Sequence, residues 1–511
     1  MTHRIQKGNQ GETKKRLSAI DKTVLMAWIN RLFIAGLVFF IVWLLVYAWN
    51  VIITYGPAGY REGANMLLTE YILKGRNPFV LMNQPLMNTN KGAFYNLLVV
   101  PFAAIFGNTL ALHRIISIVF ILLTCGLVVW CLRYFKIKWP VSIAGGTIVF
   151  AGLLFFIGPT ARADGLGTFL YMTAGLIPFM RKFDRQSLLI CATAGILAFF
   201  TKPYFILSFG IVAFYIFLFL SKKKALVLMI GTSLVLLTAA VMVRRFFPCY
   251  FLNTILNNAS NEASHVDFLL KQLIVFTGVF APLLLIFFLT HPIHLDKPFL
   301  SMPFDYFGFF FFCAFDAILL LGQNTGNYMV YLFQLMAPPL VILTLKNLKL
   351  QLNFRALIPL PLLLINLYLL SFFVLYPNTP PPAEQWSEVN QLLAESKKVL
   401  NSPILVPEMI RLGLQPIDSG STEYYYRTQP YEGNLIAPLF SATKMRGNDY
   451  LYEIENNIRT KGFDKIIITK GYSPFAKLDL LQQFYTHVKD FHIVMPQSRE
   501  SWTLEYWEPI K

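Results

Sequence analysis

The stretch AFYNLLVVPFAAIFG, residues 93–107, decides how the whole chain is threaded, because a crossing here would exchange the sides of every later loop. It is 15 residues long and contains Pro101. A membrane helix needs about 20 mostly apolar residues to traverse a hydrocarbon core of about 30 Å. The length favours a helix lying at the interface over one that spans. Longer apolar runs fall near 32–54, 114–133, 141–159, 165–181, 187–200, 204–221, 225–245, 273–291, 305–322, 330–346 and 356–377, which makes eleven expected spans.

Basic residues test that count. With the N-terminus cytoplasmic and 93–107 not crossing, the inner segments are the tail 1–31, RYFKIKW, RKFDRQ, SKKK, the loop through Lys297 and KNLKLQLNFR. These hold 20 Lys and Arg, against 10 in all outer segments before residue 378. A crossing at 93–107 would put RYFKIKW, RKFDRQ and SKKK outside, against the inward bias of basic loops. The eleven-span reading places GYREGANMLLTEYILKGRNPF (59–79), the loop at TARADGLG and the C-terminal segment on one external face.

Composition agrees. The chain is 56% hydrophobic and 14% charged over 511 residues, whereas soluble domains average roughly 45–50% and 25%. The net charge of +17 lies in the membrane part: residues 378–511 carry 14 basic against 16 acidic residues, and the first 377 carry 30 against 11. Such charge sets topology and meets anionic lipid, and nucleic acid is excluded as a partner. The first span is too long for a signal core and lacks a small-residue cleavage site, so it is expected to stay in the membrane. Four of the five cysteines fall in expected spans, and neither a disulfide framework nor a zinc spacing follows.

The expected domains are a cytoplasmic basic tail (1–31), a transmembrane domain (32–377) with an external catalytic loop at 55–113, and a soluble extracytoplasmic domain (378–511) after the Pro-rich YPNTPPPAEQW. In the last, EQWSEVNQLLAESKKVL has helical spacing, PILVP and DKIIITK read as buried strands, and LDLLQQFYTHV reads as a helix. A small α/β domain follows.

Chemistry is expected from charged groups on the external face. Glu62 stands at the start of a short helix with Ala64, Leu67, Leu68, Tyr71 and Ile72 on one face and Gly75 as its stop. A carboxylate there is held ionised by the helix dipole, as base or simply as cap. Glu70 and Lys74 read as a surface pair. Arg162 and Asp164 lie where the third span ends and the fourth begins, and Asp164 can also cap that span. Lys202, in FFTKP, and Lys91 are cations that bind an anion or snorkel to headgroups. Arg61 and Arg76 divide between the same two duties. Carboxylates and fixed cations on one face are what an anionic lipid headgroup beside a general base requires.

These residues resemble the GT-C membrane glycosyltransferases, in particular the group containing lipid A aminoarabinose transferase and the protein O-mannosyltransferases. The resemblance rests on REGANMLLTEYILKGRNPF, KGAFYNLL, HRIISIVF, ARADGLG, FFTKP and NYMVYLFQLMAPPLVIL, in that order. It implies a polytopic α-helical GT-C fold of about 11 transmembrane helices with external juxtamembrane helices. It also implies a polyprenyl-phosphate-sugar donor, such as an undecaprenyl phosphate sugar, and transfer with inversion to an extracytoplasmic acceptor in the cell envelope. Glu62 would then be the catalytic base, Asp164 would hold Lys91 or orient the acceptor, and Lys202 would bind the donor phosphate with Arg162, Arg61 and Lys91. Asn324, Asn327 and Tyr331 would contact sugar or acceptor. No cofactor is required, and His265 with Asp267 lacks a third metal ligand. Two departures stand out: Glu62 follows Arg61 where many relatives have adjacent carboxylates, and KGAF replaces a lysine followed by prolines. The alternatives are a transporter or lipid-linked glycan flippase, whose charges usually sit near the midplane in matching halves, and a ligase or polymerase using diphosphate lipids. A bacterial inner membrane with a periplasmic C-terminal domain is expected. Asp316, within the ninth expected span, is expected to pair with an inward-facing cation.

Overall fold

The computed structural model describes residues 5–89, 91–156, 158–256, 266–290, 305–321, 330–348, 358–375, 383–420, 437–471, 477–494 and 501–511. The described part of each of the eleven apolar runs is largely helical. Among the described residues, five helices are long and apolar enough to cross a membrane: Val24–Ile53, Leu110–Tyr134, Pro203–Leu220, Lys222–Phe246 and Val266–Thr290. The chain is an integral membrane protein. The remaining apolar helices pack among these five.

Local chemistry sets where the helices begin and end. The first helices are α1 (Ile5–Ile53), α2 (Tyr60–Leu73), α3 (Phe94–Phe106), α4 (Leu110–Tyr134), α5 (Trp139–Phe156), α6 (Asp164–Met180), α7 (Arg185–Thr201), α8 (Leu207–Tyr215) and α9 (Lys222–Phe246). Thr109, Asp184 and Ser221 cap α4, α7 and α9 by accepting the N–H of Leu112, Ser187 and Lys224. Gly75 ends α2 with φ +66°, its N–H on the Ile72 carbonyl and that of Arg76 on the Tyr71 carbonyl, the left-handed stop expected of it. The 93–107 stretch forms α3, 13 residues or about 20 Å long, with Leu97, Phe102, Ile105 and Phe106 exposed on one side.

Helix α6 is the most enclosed, buried along nearly its whole length. Its glycines allow this: a Cβ on Gly167 would lie 2.0 Å from the Phe205 ring. Small residues admit such close helix approach.

Asp316 departs from expectation. On the helix Tyr306–Leu321 it is turned outward beside exposed Phe312 and Leu320, with no ion-pair partner among the described residues. The helix instead buries its aromatic face, with Tyr306, Phe307 and Phe310 packed against Phe179 and Tyr171.

The C-terminal domain is a four-stranded sheet, β1 (Val399–Asn401), β2 (Lys465–Thr469), β3 (Tyr485–Val494) and β4 (Ser501–Pro509), in the order β1-β2-β4-β3 with only β1 and β2 parallel. Alternation in DKIIITK explains its two cores. Ile467 faces Trp386, Val389 and Leu393 of the helix Ala383–Ala394, while Ile466 and Ile468 face Ile454, Ile458 and Leu481 on the other side. PILVP is helical, contrary to the strand reading: Pro403 starts a 3-10 turn that leads into the helix Val406–Arg411. Prolines cost a strand its ladder donors but suit a first helical turn. LDLLQQFYTHV is helical only to Phe484, and Tyr485 begins β3. The YPNTPPP linker lies outside the described residues.

This domain sits directly on α2. A Cβ on Gly63 would lie 2.8 Å from Val406, the Ser419 hydroxyl donates to the Leu86 carbonyl at 2.7 Å, and Leu67, Tyr71, Leu86 and Val406 share a core. Helix α2 is therefore enclosed between bundle and domain instead of lying half-exposed on a surface. Replacing Gly63 by leucine is expected to lift the domain from α2 and raise its protease sensitivity, read as faster cleavage between residues 376 and 420 in limited trypsinolysis.

Candidate active site

Three segments converge at the end of the bundle that carries the C-terminal domain: the start of α2, the turn before α6 and the break between α7 and α8. The last exists because Pro203 removes a donor and α7 cannot continue, leaving Lys202 in extended conformation, φ −154°. Gly92 brings Lys91 to the same place. Its N–H donates to the Thr201 carbonyl at 2.9 Å, and a Cβ there would lie 1.8 Å from the Phe200 carbonyl oxygen. The KGAF departure thus has a steric reason, since only glycine fits against that turn. Gly92→Ala is expected to separate Lys91 from Lys202 and weaken anion binding at least tenfold, measured by titration with inorganic phosphate.

Glu62 is 1% exposed and meets a partner that sequence reading did not assign, Arg114, which is fully buried. Arg114 Nε donates to Glu62 Oε1 at 3.0 Å and Nη2 to Oε2 at 2.7 Å. The N–H of Ala161 reaches Oε1 and that of Ala58 reaches Oε2, each at 2.6 Å. All four acceptor positions of the carboxylate are filled. The other guanidinium donors serve the carbonyls of Val51, Thr54 and Gly56 at 2.8–2.9 Å. Burial pushes the Glu62 carboxyl upward, but the Arg114 guanidinium and the two backbone donors outweigh it and hold the group below the ordinary carboxylate range. The pair ties the end of α1, the start of α2, α4 and the turn before α6 into one unit. A signal was present in HRIISIVF, an arginine opening a membrane helix.

Asp164, also fully buried, collects the second network. Lys202 Nζ donates to Oδ1 at 2.7 Å and Gln334 Nε2 donates to the same oxygen at 2.9 Å. Tyr204 donates to Gln334 Oε1 at 2.6 Å, and its ring meets that of Tyr331 edge-on, centroids 4.8 Å apart. Arg162 Nε lies 3.0 Å from Asp164 Oδ2, an ion-pair contact without hydrogen-bond alignment, and Oδ2 has no hydrogen-bond donor among the described residues. Gln334 and Tyr204 were missed in the sequence because they carry no charge.

Around Asp164 stand Arg162, Lys202, Lys91 and Arg61. Lys91 Nζ donates to the Arg61 carbonyl at 3.1 Å. Burial pushes Lys91 well below the ordinary lysine range, and the nearby cations Arg162, Lys202 and Arg61 push it further. Burial likewise lowers Lys202, to about 8, with Asp164 opposing and Arg162 assisting. With Glu62 neutralised by Arg114, Arg61, Arg162 and Lys202 face one carboxylate, so an anion placed among them would be stabilised and would favour the charged form of Lys91 as well.

The other expected residues lie elsewhere. Glu70 pairs with Lys74 at 2.9 Å and also accepts from Asn108, while the Arg76 guanidinium lies over the Tyr71 ring. Asn324, Asn327 and His265 lie outside the described residues. Asp267 is exposed near the start of the helix Val266–Thr290, and no group of three metal-ligating side chains occurs among the described residues.

Neither a family model nor a curated protein sequence matches the chain. Two solved structures do, both of ArnT from Cupriavidus metallidurans. The one bound to undecaprenyl phosphate is 12% identical, with a TM-score of 0.53, and the apo one is 13% identical, with a TM-score of 0.55; each match covers 92% of this chain and 97% of that one. The resemblance drawn from the ordered motifs is borne out as a fold: over nearly its whole length the chain has the architecture of the GT-C glycosyltransferase ArnT.

Proposed function

We propose that the protein is a membrane glycosyltransferase that takes a sugar from a polyprenyl monophosphate and transfers it, with inversion, to an acceptor in the cell envelope. The observation that carries this reading is the excess of basic side chains, Arg61, Lys91, Arg162 and Lys202, around the single carboxylate of Asp164. In it the donor phosphate lies among these cations, and its charge, which grows as the glycosidic bond breaks, is stabilised most by Lys202 and Arg162. Likeness of fold to a protein solved with undecaprenyl phosphate supports the same lipid class.

The acceptor's proton needs a base. Glu62 can serve only after one of its four donors has turned away, whereas Asp164 Oδ2, though buried, has an acceptor position that no donor among the described residues fills. In this reading Asp164 orients the acceptor, and Glu62 holds the loop and can take the proton only if the Arg114 pair loosens. The eleven helices cross the membrane with the site and C-terminal domain on the periplasmic side of a bacterial inner membrane.

The test is transfer of labelled sugar by purified protein from a polyprenyl monophosphate donor, with the diphosphate as comparison. Transfer from the diphosphate alone would favour a ligase or polymerase, and movement of lipid without transfer a flippase. Donor affinity should also depend on pH. The phosphate binds protonated Lys202, so affinity is full below pH 8 and declines as pH rises through about 8. Lys202→Arg should shift that decline upward in the same titration.

A further inference from the structure

At the seam between the loop 55–113 and the C-terminal domain is a separate cleft of about 470 Å³, within the range of small-ligand sites. Three cations line it, Lys397, Lys398 and Arg446, with the rings of Tyr71, Tyr450 and Phe463. Their gathering runs against the balance of residues 378–511, which carry two more acidic than basic groups. Glu453 is the acid in the lining and is paired with Arg446 at 3.1 Å. Asp464 holds the neighbouring backbone, accepting the N–H of Lys397 and Lys398 at 2.7 and 2.9 Å. Lys398 is positioned by Asn457 Oδ1 at 2.5 Å and by the Phe463 ring at 5.3 Å. The amides of Asn83 and Gln415 complete the polar lining.

We propose that this cleft binds an acidic saccharide. Its carboxylates or phosphates would take charge-assisted hydrogen bonds from Lys397, Lys398 and Arg446. Its hydroxyls would use the amides, and the apolar faces of its rings would lie against the tyrosines. One wall belongs to each domain, so the ligand would bridge them. Under the transferase reading such a saccharide belongs to the acceptor, but the binding does not depend on that reading.

The probes are tri-galacturonate and the neutral maltotriose, titrated calorimetrically into the full chain in lipid nanodiscs. Saturable binding of tri-galacturonate is expected, at least tenfold tighter than maltotriose. Lys397→Glu and Lys398→Glu should each weaken it at least tenfold, while Lys489→Glu, the same charge change on the far strand of the sheet, should leave it unaltered. Absence of saturable binding to the unmodified chain, equal affinity for the two trisaccharides, or an equal loss with Lys489→Glu would overturn the proposal. Titration of each preparation with undecaprenyl phosphate keeps the two readings apart, since the donor cations are not altered in these variants.

Discussion

Replacing Arg114 by leucine is expected to destabilise the protein by about 3–5 kcal/mol, the cost of leaving a buried charge without its partner. The loss exceeds one ion pair because the carbonyls of Val51, Thr54 and Gly56 lose their donors together. Thermal unfolding of the purified protein in detergent measures it. The double variant Arg114→Leu with Glu62→Leu is expected to recover a substantial part of the loss, because a hydrophobic pair of similar volume removes the stranded charge. If the double variant were no more stable than the single, the pair would not be the clamp described. The same cycle addresses chemistry: Glu62→Gln that unfolds early and binds donor poorly points to the clamp alone, while Glu62→Gln that binds donor normally and transfers slowly points to a base.

Lys202→Ala is expected to lower kcat/KM for transfer by roughly 10²–10³-fold, the scale for removing one preorganised charge donor from a developing anion. The side chain lies 2.7 Å from Asp164, so its loss also leaves that carboxylate with Arg162, Gln334 and the longer contact from the Tyr204 hydroxyl at 3.5 Å. Measured against Asp164→Asn, the effect separates two duties. Lys202→Ala should weaken donor binding and slow transfer, whereas Asp164→Asn should act mainly on the acceptor's KM. Full activity in Lys202→Ala would remove the donor phosphate from this group of cations.

The helices were legible because the eleven apolar runs are long and bounded by polar or charged loops, a local pattern that hydropathy alone records. Gly75 and the α2 face were legible for the same kind of reason, a local pattern with a local cause. PILVP misled because three apolar letters in a row fit a strand, and only the prolines at 403 and 407 pointed to the turn. The C-terminal strands β3 and β4 were not read because their pairing partners are distant and their alternation is mixed with charge. Asp316 was placed inward on the rule that acids avoid lipid, yet the aromatic face of its helix had the larger area to bury and took the inner side.

The sequence by itself determined a basic, polytopic membrane chain, the gathering of its unusual charges at one end of the bundle and the order of motifs that resembles the GT-C enzymes. These depend on hydropathy, length and charge counted along the chain. Tertiary structure alone decided what each charge meets. It gave Glu62 to Arg114, 52 positions away, gave Asp164 to Lys202 and to Gln334, 170 positions away, and pressed Gly92 against the Phe200 carbonyl. A carboxylate's chemistry is set by the donors and charges within a few ångströms of it, and those neighbours come from segments that only packing brings together.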